Sequence, residues 1–180
     1  EGAKNDWGYL IDKHTGERLL TSIPLHLEFI RKRKAAHPVH FAQVVRLIKW
    51  WASQKKIEDE SFKCKSFMVE LLVAHHADQG LDLSNYPNAL EKIFAYMVTT
   101  GLEERIIFDD YYPLSQVPSE NLGAIEIFDP VNPKNNITEK YSVSDRDRLI
   151  EAADKAGDAI AEAHHAPTKH QAVDCWQMVF

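Results

Sequence analysis

Apolar residues recur at the helical period along most of the chain. Across residues 39–55, Phe41, Val44, Val45, Ile48 and Ala52 fall on one face. Leu47, Trp50 and Trp51 widen that face until only a narrow polar stripe is left, and Arg46 and Lys49 sit on it as neighbours three positions apart. Across residues 87–100, Leu90, Ile93, Phe94, Met97 and Val98 repeat the i, i+3, i+4, i+7, i+8 spacing, and Gly101 closes the segment. Shorter amphipathic stretches predict helices over 24–36, with Leu27 and Ile30 on the apolar face, and over 66–79, with Met68, Leu71 and Leu72, ending at Gly80. Ser22 is placed to cap the first of these, Pro24 suits its first turn, and Pro38 breaks it. Two further helices are expected over 144–164 and 169–178.

Period-two alternation is confined to short pieces. Residues 7–12 and 18–20 flank a turn at 13–16 and predict a hairpin, while 105–108 and 124–128 read as short β-like segments. Residues 57–63 are polar and read as a loop; residues 129–136 are dense in turn formers. Without repeats or low-complexity tracts, the pattern predicts one mainly α (α+β) domain.

Composition narrows the classes. With 44% hydrophobic and 27% charged residues over 180 positions, the chain reads as a globular domain with a real core. No apolar run spans a bilayer, so no membrane insertion is expected, and two cysteines in a chain without a leader-like start suit a reducing, cytoplasmic setting. A net charge of −6 argues against a surface that coats nucleic acid but leaves room for a local basic pocket. Residues 1–6 form a polar lead-in beginning with Glu, consistent with a fragment or a processed product.

Lys49 is the most suggestive single residue. A cation on an almost wholly apolar helix either snorkels to water or meets an anion, and lysine serves phosphate as a point charge. Lys65, Ser66 and Phe67 open the 66–79 helix, where free N–H groups favour phosphate and an aromatic ring offers a base a stacking face. The plainer reading makes Ser66 an N-cap and Phe67 a core residue. The basic run Arg31, Lys32, Arg33, Lys34, with His37 close by, reads first as a solvated helix face, the alternative being a channel lining for nucleotides or an acidic partner. The nine histidines show no zinc-type spacing with cysteine, and adjacent pairs such as His75 and His76 diverge on a helix. Asp109 and Asp110 lack the Gly-Ser turn of a two-metal site, and no nucleophile elbow is present. Adjacent Trp50 and Trp51 call for burial, which predicts a partner over the first helices.

Taken in order, these pieces resemble one family. Arg46, Leu47, Ile48, Lys49, Trp50 and Trp51 resemble the R-L-x-K-x-W helix of the 2′-5′-oligoadenylate synthetase and cyclic GMP–AMP synthase superfamily. Ser66 and Phe67, with Val69, Glu70, Leu71 and Leu72, look like its next helix. The run from Asp129 and Pro130 to Asn135 and Asn136 is similar to its D-P-x-x-P-x-N-N turn. Thr21 and Pro24 with His26 resemble the segment after the catalytic core in the bacterial members, the CD-NTases of antiphage signalling.

The resemblance implies the helical C-terminal domain of a polymerase-β-like nucleotidyltransferase, residues 24–180, preceded by the tail of the catalytic core, residues 1–23. It implies a triphosphate on Lys49 and Ser66, a base stacked on Phe67, supporting contacts from Lys65 and Arg46, and a bracing turn at Asn135 and Asn136. The Gly-Ser turn and the Asp-x-Asp set that hold two Mg²⁺ in the family are missing from this sequence, so catalysis would need the chain's own N-terminal half. The complete enzyme would join NTPs, ATP among them, into a cyclic or linear oligonucleotide second messenger under a regulatory protein partner. A helical binding module without catalysis, or an RNA-terminal nucleotidyltransferase of the CCA-adding kind, are the alternatives.

Overall fold

A computed structural model describes residues 7–11, 16 and 18–180. The predicted 13–16 turn, apart from Gly16, and the 1–6 lead-in lie outside the described residues. β1 (Gly8–Ile11) pairs antiparallel with β2 (Arg18–Thr21), Tyr9 opposite Leu20. Six helices follow: α1 (Ile23–Ala36), α2 (His40–Glu58), α3 (Ser66–Asp78), α4 (Tyr86–Thr99), α5 (Val143–His165) and α6 (Lys169–Val179). The expectation of a mainly helical fold with an N-terminal hairpin is met.

α3 forms the centre because it is apolar nearly all round. Met68, Val69, Leu71, Leu72, Val73 and Ala74 are all buried, as expected of a helix wrapped by others. α2 packs beside it, α4 lies behind, and α5 joins α4 to α6. Gly80, at φ +84°, ends α3 in the left-handed conformation that lets Leu81 N–H reach back to the His76 carbonyl. Ser22 caps α1 by accepting from Leu25 N–H, as its position predicts.

Several local expectations change. The buried stripe of α1 is Leu25, Phe29 and Arg33, not Leu27 and Ile30; Leu27 is exposed and Ile30 half-buried. α2 runs three residues further than expected, to Glu58, because polar residues extend a helix readily where nothing breaks it. The segments 105–108 and 124–128 are not strands. They meet through one parallel bridge, Ile106 with Ile127, and Phe128 bridges Asn136. Ser66 is the first helical residue, while Lys65 occupies the cap without a side-chain cap bond.

The two adjacent tryptophans of α2 fare differently. Trp51 is fully buried against Phe62 and Phe94, and Trp50 stacks on Phe180 with ring centroids 4.5 Å apart. Trp50 stays half exposed on α2 even so. Other exposed apolar side chains gather on the hairpin and the start of α1: Tyr9, Leu10, Ile11, Leu20, Ile23 and Leu27.

The basic run of α1 is not uniformly solvated either. Arg33 is only 6% exposed. Its guanidinium lies over the Phe29 ring, 3.6 Å from the centroid, and donates to Asp78 and Asp110. It ties α1 to the end of α3 and to the loop after α4. Asp110 is thereby committed to Arg33 and Lys32.

Candidate functional site

A cavity of about 510 Å³ opens where the hairpin, α1, the start of α3 and the 129–140 turn converge. Leu10 and Leu19 come from the hairpin, Leu27 and Ile30 from α1, and Phe67 from α3, so the wall is mostly apolar. Lys65 and Lys140 stand against Glu70 and Glu139 at the polar side. An apolar concavity of this size with a few convergent polar groups is the usual form of a small-molecule site.

The turn that forms one wall is held by side chains reading the backbone. Asp129 is buried; one carboxylate oxygen accepts from Val131 N–H at 2.8 Å and from Asn132 N–H at 3.3 Å, and lies 2.6 Å from His26 Nε2. Its other oxygen accepts from Asn135 Nδ2 at 3.0 Å. Asn136, also buried, accepts from Ile127 N–H and Thr138 N–H and donates to the Ile125 carbonyl. Asn132 Nδ2 donates to the Leu20 carbonyl, which ties the turn to the hairpin. The His26 ring stands edge-on to Phe67, centroids 5.2 Å apart, and Thr21 Oγ1 is 3.5 Å from its Nδ1. A chain of contacts thus runs from Thr21 through His26 to Asp129 and sets the aromatic wall.

The five residues singled out in the sequence fall in different places. Phe67 lines the cavity, half-buried, with Lys65 beside it. Lys65 Nζ donates to the Ile137 carbonyl at 2.8 Å. Burial, with Lys140 and then Lys63 nearby, holds the Lys65 ammonium below the ordinary lysine pKa, against the weaker pull of Glu139. Ser66 is exposed at the first position of α3, outside the lining set. Lys49 does not line the cavity. It reaches across from α2 to Glu70, Nζ to Oε1 2.5 Å, and Glu70 is the residue that faces the space. Arg46 is exposed and contacts only Gln43, at 3.5 Å, among its described hydrogen bonds.

Reading the sequence gave Glu70 no role, although it stands inside the quoted motif. The available signal was the opposite charge of Lys49 on a neighbouring helix. The His26–Asp129 link, 103 positions apart, left no local trace.

No protein-family model matches the chain. Curated relatives do. The cyclic AMP-AMP-AMP synthase of Escherichia coli strain MS 115-1 is 52% identical over 176 residues, covering 97% of this chain and 54% of the relative. The CBASS oligonucleotide cyclase CdnC of E. coli strain KTE188 is 29% identical over 181 residues, covering 98% and 52%. The solved structure of E. coli MS115-1 CdnC with ATP superposes with a TM-score of 0.94 at 50% identity, covering 100% of this chain and 56% of that one.

In sequence and fold this chain is similar to the CD-NTases.

A second structure, the CdnC:HORMA-deltaN complex, matches with a TM-score of 0.92 at 50% identity, covering 55% of that chain. The present chain therefore spans about half the length of the curated relatives it matches. No described helix is long and apolar enough to cross a membrane.

Proposed function

We propose that this chain is the nucleotide-gripping helical half of a CD-NTase that joins nucleoside triphosphates, ATP among them, into a short cyclic or linear oligonucleotide for antiphage signalling in the cytoplasm. The observation that carries the reading is the cavity against α3, where an aromatic wall, Lys65 and the open N-terminus of a buried helix meet. In this reading Phe67 stacks on a base, and the amide donors at the start of α3, with Ser66 and Lys65, approach phosphate. Lys49 acts by neutralising Glu70, so that phosphate does not meet a bare carboxylate. Arg46 stays a peripheral contact.

The hairpin supports a division near residue 23, with residues 1–23 belonging to a catalytic core and 24–180 to the helical domain. Two strands alone form a marginal sheet, and apolar side chains exposed on this one suit further strands or another layer. No group of three or more His, Cys, Asp or Glu side chains among the described residues can hold a metal ion. The residues present do not fit a two-Mg²⁺ centre. Under this reading the ions, and the in-line displacement they assist, belong to a preceding N-terminal half. A protein partner of the kind seen on CdnC in the HORMA complex is the regulatory partner this reading expects.

The chain by itself is expected to make no oligonucleotide from ATP with Mg²⁺ or Mn²⁺, as followed by chromatography. Product from the purified 180-residue piece would sink the two-half reading. In the full-length protein, Lys49→Ala and Ser66→Ala are each expected to lower kcat/KM for ATP about ten- to a hundredfold, the scale of a lost charge-assisted contact. Phe67→Ala should impair ATP use more than Phe67→Tyr, which keeps the ring face, and Arg31→Ala should change little. Adding Glu70→Gln to Lys49→Ala should restore part of the loss. Wild-type kinetics in both Lys49→Ala and Phe67→Ala would remove the nucleotide from this cavity.

A further inference from the structure

A second concavity, about 430 Å³, adjoins the first and shares Lys65 and Lys140 with it. Its rim carries Lys56 from the last turn of α2, Lys63 and Lys65 from the segment before α3, and Lys140 from the end of the 129–140 turn. Among the described residues no carboxylate lines it. In a chain of net charge −6, four ammonium groups meet around one hollow, one of them, Lys63, paired with Asp145.

The thiol and phenol of the remaining wall stay neutral. Burial pushes the Cys64 thiol up to about 12, so it stays protonated. The Tyr141 phenol is likewise pushed up to about 12, chiefly by burial, and accepts from Lys65 N–H at 2.9 Å. Its own O–H remains a donor. Lys63 Nζ donates to Asp145, the N3 carboxylate of the α5 capping box, which is already engaged by the N-cap Ser142. That bond fixes one lysine on the rim without filling the hollow.

We infer that this lysine-lined hollow is a polyphosphate site, taking the di- or triphosphate group of a ligand whose apolar part lies in, or has left, the neighbouring cavity. Lysines at several bearings suit a group with charge on three or more oxygens, and the phenol adds a neutral donor. The concave shape and modest volume favour a compact polyphosphate over the extended backbone of a duplex.

Binding itself is independent of the proposed nucleotidyl transfer; only the choice between a substrate triphosphate and released pyrophosphate rests on that reading. The test is calorimetric titration of the full-length protein with sodium tripolyphosphate, without metal. Wild type is expected to bind, and Lys56→Glu with Lys140→Glu to weaken binding about tenfold or more, in line with lost charge-assisted contacts. Competition by ATP but not pyrophosphate identifies the triphosphate of a nucleotide; equal competition by pyrophosphate identifies the leaving group. Should the double variant fail to fold, Lys56→Gln alone, on an exposed helix end, gives the same reading with a smaller loss. Undiminished tripolyphosphate binding in folded variants overturns the inference. Duplex DNA that binds more tightly than tripolyphosphate, and is lost with the same lysines, overturns it in favour of a nucleic-acid face.

Discussion

Asp129→Ala should lower the stability of the protein by about 3–5 kcal/mol and loosen the floor of the cavity. The carboxylate is buried and satisfies Val131 N–H, Asn132 N–H and the Asn135 amide, with His26 Nε2 at 2.6 Å. Alanine supplies no acceptor, so one buried donor and several part-buried ones lose their partner at once, each at a cost of about 1–3 kcal/mol reduced by whatever water can reach them. At this chain length the melting temperature should fall on the order of 10 °C. Asp129→Asn keeps the shape and one acceptor but sets an NH₂ against existing donors, so its loss should be intermediate. Hydrogen exchange at Val131 and Asn132 should accelerate ahead of global unfolding. His26 loses its anchor, so ATP use should fall even where the variant is folded. A melting temperature within about 2 °C of wild type would show that the turn holds itself by backbone geometry alone.

Arg33→Ala is expected to be comparably damaging, at about 3–5 kcal/mol, because it strands Asp110 in a buried position with only Lys32 opposite. It also removes the stack over Phe29. Arg33→Met with Asp110→Asn should recover much of the loss, since the desolvated charge is then gone. The pair has a pH signature. Burial acts to raise the Asp110 pKa, but hydrogen bonds from Arg33 and Lys32 outweigh it and hold the carboxyl below its usual range. A depressed folded value means the stabilisation is present above the unfolded pKa of about 3.9 and is lost as pH falls through the folded one. The gap in stability between wild type and Arg33→Met should therefore narrow below about pH 4. A constant gap from pH 7 to the acid limit would assign Arg33 a packing role only.

These two cases show where sequence reasoning ran short. Arg33 lay in a run of four cations, and such runs are usually solvated. What made it different was the arrival of Asp110 from a loop 77 positions away. Lys49 was recognised as a cation needing an anion, and the chain supplies one itself in Glu70. Trp51 was seen to need burial, and the chain supplied that too. In each case the need could be read from one residue, while its fulfilment depended on an element distant in sequence.

By itself, the sequence determined the helices and the ends of most of them. Hydrophobic period, Ser22, Gly80 and Gly101 act within a few residues, so a linear reading captures them. It also determined the family resemblance, through short motifs kept in order. The tertiary structure alone decided which apolar stripe of α1 is buried, which lysines share a hollow, and how His26 meets Asp129. The reason is that burial and charge pairing are set by which surfaces meet, and those surfaces come from segments whose separation along the chain carries no signal of their contact.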